Sequence, residues 1–337
     1  MIHEHPHDEC GRLMDISIVV PVYRSSLTLP VLVGRVEDAM LRGAWAFELI
    51  LVNDCSPDDS WNVIERLARQ YSFIVGLDLR RNVGQDNAIM AGLSRARGRT
   101  VVIMDDDLQH SPADIPALCA KLKEGYDVCY ARFAHKRQAF WKNAGSWLNG
   151  KLAEWVIGKP SHVYLSPFKA LNAGLVAEIV KYRGPFAYVD GIIWRITSRC
   201  TQIPISHHPR HAGKGNYDLW KSIRVWAKLL TGFSVKPLRV ITATGFITSG
   251  LSFLMGMAFL IAHFFDAYPV EGWASLAISL SFLGGLQLTC LGMLGEYVGR
   301  TYLRLSDQPQ FSVAKSVGAE ALDTHSSELH SLGQDTL

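Results

Sequence analysis

Between Ile16 and Arg132, short apolar runs alternate with amphipathic stretches, and this alternation narrows the fold more than any other feature. The runs are Ile16–Tyr23, Phe47–Asp54, Phe73–Leu79, Thr100–Asp105 and Asp127–Arg132. Helical spacing marks Thr28–Leu41, Asp59–Tyr71, Gly84–Arg97 and Pro112–Glu124. Strands that are apolar on both faces need cover on both, and intervening helices supply it. The pattern therefore predicts an α/β domain with a mostly parallel, Rossmann-like sheet. No G-x-G-x-x-G follows the first run, which continues Pro21-Val22-Tyr23-Arg24-Ser25-Ser26, and no G-x-x-x-x-G-K-[ST] occurs. Dinucleotide-dependent oxidoreductases and P-loop enzymes are thereby set aside.

The fourth run ends in Asp105-Asp106-Asp107-Leu108-Gln109. Alternate side chains of an extended segment share a face, which puts Asp105 and Asp107 together and Asp106 opposite. Mg²⁺ and Mn²⁺ prefer oxygen ligands and bind through one or two carboxylates plus substrate phosphates. The carboxyl ends of strands are also where open α/β sheets hold ligands. The plainer reading is an acidic turn capping the helix after Pro112. Other segments tip the balance. Asp54 ends the second run, where a carboxylate can accept hydrogen bonds from a base or ribose, or only cap the next helix. Arg80-Arg81-Asn82-Val83-Gly84-Gln85 opens a helix; its glycine permits a tight turn, and its arginines and backbone amides favour an anion. Arg132 closes the fifth run, suited to a phosphate or to a surface ion pair. The basic stretch His207–Tyr217 carries Arg210 and Lys214. It can fold over a pyrophosphate, receive a lipid phosphate, or remain a solvated loop near anionic headgroups.

At 337 residues the chain is long for one domain, and its hydrophobic excess lies after Pro237. Val240–Ala262 and Trp273–Leu294 are free of charge, and each is long enough to cross ~30 Å of hydrocarbon. A buried helical hairpin is the alternative. The connecting loop has Asp266 and Glu271 but no Lys or Arg, whereas Lys228, Lys236, Arg239, Arg300 and Arg304 flank the pair. The charge bias predicts cytoplasmic flanks. The Trp-rich, basic stretch 219–233 reads as an interfacial helix, and the aromatic stretch 140–156 as either interfacial or core. The expected organisation is a disordered tail over 1–14, a catalytic domain over 15–215, a juxtamembrane amphipathic helix over 216–237, a transmembrane hairpin over 238–299 and a cytoplasmic tail over 300–337, disordered beyond Phe311. A net charge of only +3, with no dense basic block, argues against nucleic acid as partner. Six scattered cysteines without a C-x-x-C pair suit reduced thiols on the cytosolic side. The polar N-terminus, with His3, His5 and His7, reads as a frayed tail rather than a signal peptide or metal site.

Taken together, VPVY at Val20–Tyr23, VNDCS, RNVGQDNAIMAGL, MDDDLQHSP, the Arg132 strand end, LSPFKALN, HHPRHAGKGNY and LGMLGEYVGR carry a specific resemblance. The chain resembles the family 2 glycosyltransferases of the GT-A fold. Within them it is similar to the polyprenyl-phosphate enzymes related to dolichyl-phosphate mannose synthase and the undecaprenyl-phosphate aminoarabinose transferases. The resemblance implies a nucleotide-sugar donor, a polyprenyl phosphate acceptor (undecaprenyl phosphate in a bacterium) and Mg²⁺ or Mn²⁺. It further implies inversion at the anomeric carbon, a multi-pass protein of the bacterial cytoplasmic membrane, and scope for self-association through the spans. Carried onto this chain, it assigns Asp105, Asp107 and Gln109 to the metal and pyrophosphate, and Asp54 to the nucleoside. Arg132, Ser166, Lys169 and Arg210 fall to phosphates. Pro21, Tyr23, Arg81, Asn82, Gly84, Gln85, Asp106 and Lys214 are further substrate-binding candidates. The chain departs from the pattern at three places: Asp106 replaces a small residue, Ser166-Pro167-Phe168-Lys169 stands where relatives read S-G-F-R, and Gly215-Asn216 replaces Ser-Lys. Lysine offers a point charge where arginine offers a bidentate fork. A processive polysaccharide synthase shares the fold but carries Q-x-x-R-W, and no Arg-Trp dipeptide occurs here. An inactive scaffold of the same fold would not need the intact Asp105, Asp107 and Gln109 set.

Overall fold

The structure, a computed structural model, describes residues 14–133, 166–184, 187–205, 236–264, 272–306 and 309–318. The N-terminal tail, the aromatic stretch 140–156, the basic loop with Arg210 and Lys214, and the amphipathic stretch 219–233 lie outside the described residues. By internal contacts the chain divides into two units, Met1–Gly215 with Gln308–Leu337, and Asn216–Asp307.

The first unit is built on β1 (Ile16–Val22), β2 (Phe47–Asn53), β3 (Ile74–Leu79), β4 (Thr100–Ile103), β5 (Val128–Phe133), β6 (Lys169–Asn172), β7 (Cys200–Ile205) and β8 (Val313–Val317). They form one sheet in the order β7-β5-β6-β4-β1-β2-β3-β8. β1 pairs in parallel with β2 and β4, β2 with β3, and β5 with β7, whereas β6 and β8 run antiparallel to their neighbours. β1 is buried along its whole length, as expected of a central strand covered on both faces. The cover comes from α1 (Leu29–Arg42), α2 (Ser60–Gln70), α3 (Gln85–Leu93), α4 (Ile115–Leu122), α5 (Ala173–Ile179) and α6 (Val189–Ile196). α1 starts with a proline in its first turn, where the missing N–H costs nothing, and buries Leu32, Val33, Val36 and Met40. α3 lies close on the sheet because Gly92 faces it. A Cβ there would stand 2.3 Å from Val19 Cγ1.

Two boundaries differ from the sequence reading for visible reasons. α3 stops at Leu93 rather than Arg97, because the backbone N–H groups of Arg97 and Gly98 donate to Ser17 Oγ and Glu48 instead of continuing the helix. The disorder expected beyond Phe311 is corrected: Val313–Val317 forms an edge strand beside β3, and before it the second long helix runs on to Leu305. Gln310 ties the same segment down by donating to the carbonyls of Tyr182 and Gly184, at 2.7 and 2.8 Å.

The second unit contains α7 (Lys236–Phe264) and α8 (Trp273–Leu305). Among the described residues, no helix is long and apolar enough to cross a membrane. Both helices leave large apolar side chains exposed, including Phe246, Leu251 and Phe253 on α7 and Leu276, Leu280 and Leu288 on α8.

Candidate active site

Because β1, β2 and β4 are parallel, their carboxyl ends open on the same edge of the sheet. A cleft lies there, walled by Pro21, Val22 and Tyr23 from the end of β1 and by Asp54 beyond β2. Gln85 at the start of α3 and Asp105, Asp106 and Asp107 beyond β4 complete it. Just past these three strands, Arg24, Cys55 and Leu108 adopt left-handed φ values of 58°, 50° and 61°. Non-glycine residues take that conformation at a cost, and surrounding contacts must hold them there.

Each carboxylate has its own partner. Asp105 Oδ1 accepts from Gln85 Nε2 at 2.8 Å. Asp107 Oδ1 accepts from the Gln109 N–H at 3.1 Å. Asp106 turns to the loop after β1, accepting from the Tyr23 N–H at 3.2 Å and from the Ser25 hydroxyl. The strand ends at Ile103, before the acidic run, yet Asp106 still parts company with its two neighbours. Asp54 is 4% exposed. Its two oxygens accept from the Val83 N–H at 2.7 Å and the Gly84 N–H at 2.9 Å. Gly84 makes this possible with φ +88°, which glycine adopts without penalty.

Burial pushes the Asp105 carboxyl up to about 7, reinforced by the charges of Asp107 and Asp106, while Lys169 and the Gln85 bond pull it down. Asp106 is raised as well, chiefly by burial, against the bonds from Ser25 and Tyr23. Among the described residues, no three His, Cys, Asp or Glu side chains form a metal cage by themselves. The donor set nonetheless suits a hard divalent cation that completes its shell with phosphate oxygens. Such an ion would relieve the carboxylate repulsion that adds to the effect of burial on Asp105.

The remaining candidates fall elsewhere. Gln109 sits beside Asp107 but does not line the cleft. Arg81 and Asn82 are exposed at the α3 entry, where Asn82 Nδ2 donates to the Asp54 carbonyl. Arg132 is exposed near the end of β5. Ser166 is buried and accepts from the Phe168 N–H. Lys169 is 3% exposed. It pairs with Asp190, which also accepts from Tyr130 Oη at 3.0 Å, and its ammonium stands 5.4 Å from the Tyr130 ring centroid. The sequence reading missed Asp190 and His110. His110 Nδ1 accepts from the Asp105 N–H at 3.4 Å, and its ring stacks on Phe168 with centroids 5.1 Å apart. A histidine three residues past the acidic run was a visible signal; Asp190, a lone acid in YVDG, offered none.

The profile of Glycosyl transferase family 2 matches residues 17–178. Among curated proteins, the undecaprenyl-phosphate 4-deoxy-4-formamido-L-arabinose transferase of Yersinia enterocolitica is 29% identical over 94% of this chain and 98% of its own length. The transferase of the same name from Shewanella sediminis is 31% identical over 91% and 93%. An uncharacterised glycosyltransferase of Bacillus subtilis is 30% identical over 92% and 96%. These relatives match along nearly the whole chain and not through one domain of it, and on that footing the protein belongs to the family 2 glycosyltransferases, in their polyprenyl-phosphate group.

Proposed function

We propose that this enzyme transfers a sugar from a nucleotide-diphosphate donor to undecaprenyl phosphate at the cytoplasmic face of a bacterial inner membrane, with inversion at the anomeric carbon. The observation that carries the proposal is the cleft at the strand ends, which Asp105 and Asp107 line together with Tyr23 and Asp54. Asp105 and Asp107 would hold Mg²⁺ or Mn²⁺, with Gln109 adjacent. Bound there, the ion supplies neutralisation of the departing diphosphate. Tyr23 and Asp54 line the nucleoside side. Gln85 orients Asp105 through their hydrogen bond. Lys169, committed to Asp190, contributes a fixed positive charge near Asp105 and is not free to clamp a phosphate. Arg132, Arg210 and Lys214 would receive the phosphates of donor and acceptor.

An oxygen of the acceptor phosphate attacks the anomeric carbon, and the bond from that carbon to the diphosphate breaks. A phosphate monoester has a second pKa of about 6 and is largely a dianion near neutrality. The site therefore needs no strong general base, unlike one that must activate a sugar hydroxyl.

The second unit serves as the membrane anchor. Read over the full sequence and not the described residues alone, the charge-free stretches Val240–Ala262 and Trp273–Leu294 support two spans, as do the apolar side chains left exposed along α7 and α8. Within these helices Thr248 and Thr289 donate their hydroxyls to the carbonyls four residues back, at 2.8 and 2.9 Å. Their polar groups are thus satisfied without water. The basic flanks favour cytoplasmic placement of the catalytic unit and both termini.

Asp107→Asn is expected to abolish transfer while the protein remains folded and membrane-bound. Near-wild-type turnover in that variant would remove Asp107 from the metal site, and retention of anomeric configuration in the product would contradict direct displacement.

A further inference from the structure

The loop after β1 has no regular secondary structure, yet four consecutive backbone amides are held by side chains. The Tyr23 N–H donates to Asp106 Oδ2 at 3.2 Å and the Arg24 N–H to Ser56 Oγ at 3.1 Å. The Ser25 N–H donates to Ser60 Oγ at 3.0 Å and the Ser26 N–H to Asp58 Oδ2 at 3.2 Å. Three of these anchors come from the loop and helix start after β2. Only Asp106 comes from the other side, the end of β4, and it takes a second bond from the Ser25 hydroxyl. Between the anchors, Arg24 is held at φ 58°, a conformation an arginine does not choose unaided. Its guanidinium lies 5.5 Å from the centroid of the Tyr23 ring, and Tyr23, 46% exposed, walls the cleft.

We propose that Asp106 is a positioning residue that fixes the Tyr23–Arg24 wall relative to Asp105 and Asp107, and so sets affinity for the nucleotide part of the donor. The inference rests on the reading of this cleft as the donor site. Labour is divided among three consecutive carboxylates. Asp105 and Asp107 bond to Gln85 and to the Gln109 amide, whereas Asp106 spends the same oxygen twice on the opposite loop. Without Asp106 the loop keeps its ties to Ser56, Ser60 and Asp58 but loses its spacing from β4. The wall would then sample positions that do not meet the donor. Binding suffers because only part of the population is competent, while the chemistry of a correctly bound donor is untouched.

Asparagine at this position keeps an oxygen for both donors, and alanine keeps none. The full-length protein in detergent micelles is titrated calorimetrically with UDP, GDP, CDP and dTDP in the presence of Mg²⁺. Asp106→Ala is expected to weaken the best-bound diphosphate about 10-fold and Ser25→Ala about 3-fold, the scale of one or two lost hydrogen bonds. Asp106→Asn stays within about 2-fold, and the double alanine variant is no worse than Asp106→Ala alone, since the two groups act through one contact. With the corresponding nucleotide sugar, Asp106→Ala raises donor KM and leaves kcat within about 2-fold. Equal damage from Asp106→Asn and Asp106→Ala would mark Asp106 as a metal ligand and overturn the proposal. So would a fall in kcat at unchanged donor KM, or unchanged diphosphate affinity in Asp106→Ala. A wild-type chain that binds none of the four diphosphates would instead bring down the donor-site reading, and the proposal with it.

Discussion

Asp54 lines the cleft, but its carboxylate is already engaged, and this leads to a prediction for the protein without any ligand. Both oxygens accept backbone N–H groups at the α3 entry, from Val83 at 2.7 Å and Gly84 at 2.9 Å. Asp54→Asn preserves size and one acceptor, but turns the other oxygen into an amide donor facing a backbone donor. Hydrogen bonds to a charged group contribute about 1.5–3 kcal/mol each, and a buried N–H left unpaired adds its desolvation cost. At 4% exposure water cannot easily replace the lost partner. The loss should therefore be about 2–3 kcal/mol, or about 30- to 150-fold in the local opening equilibrium. Hydrogen exchange followed by mass spectrometry, on peptides spanning residues 80–88, reads this directly. Exchange at Val83 and Gly84 should accelerate by that factor in the ligand-free variant, while peptides from β1 change little. Unaltered exchange there would show that Asp54 does not secure the α3 entry, and that any loss of activity comes from nucleotide contact alone.

Two further outcomes follow from buried charges. Glu48, 2% exposed, accepts from Ser17 Oγ and from the backbone and guanidinium of Arg97. Glu48→Gln should cost about 2–3 kcal/mol, below the ~3–5 of a fully buried pair because Arg97 remains 24% exposed; an unshifted thermal midpoint would contradict this. Burial pushes the Asp86 carboxyl up to about 6, with Asp190 adding to the rise and the Val189 N–H and Lys169 opposing it. The folded state thus keeps a proton that the unfolded chain releases near pH ~3.9, so stability falls as pH rises from ~4 to ~6. Asp86→Asn, whose side-chain oxygen can still accept from Val189, should flatten that part of the stability profile; parallel profiles for the two proteins would refute the assignment.

The parallel core was legible because doubly covered strands cannot hide their composition: Ile16–Val22 and Phe47–Asn53 form where their apolar runs lie. The acidic strand end, Asp54 and Tyr23 were legible too, since their spacing past those runs brings them to one edge of a parallel sheet. What escaped depends on contacts between distant segments. β6 is only four residues, Lys-Ala-Leu-Asn, inserted antiparallel between β4 and β5, and nothing local distinguishes it from a loop. β8, Val-Ala-Lys-Ser-Val, is short and only partly apolar, and becomes a strand because the edge of β3 offers it partners. The family resemblance assigned Lys169 to a phosphate, and its pairing with Asp190, 21 residues away, emerges only once β6 meets α6. The premature end of α3 likewise follows from Ser17 and Glu48, polar residues within otherwise apolar strands.

The central claim is that a cleft built around Asp105 and Asp107 carries a sugar onto a lipid phosphate. Membranes containing the enzyme, supplied with undecaprenyl phosphate and a panel of labelled nucleotide sugars, should yield one lipid-linked monosaccharide, identified by mass spectrometry. Its formation should stop with chelator and resume with Mn²⁺ or Mg²⁺. A polymeric product, or monosaccharide transfer that proceeds undiminished under chelation, would contradict the account.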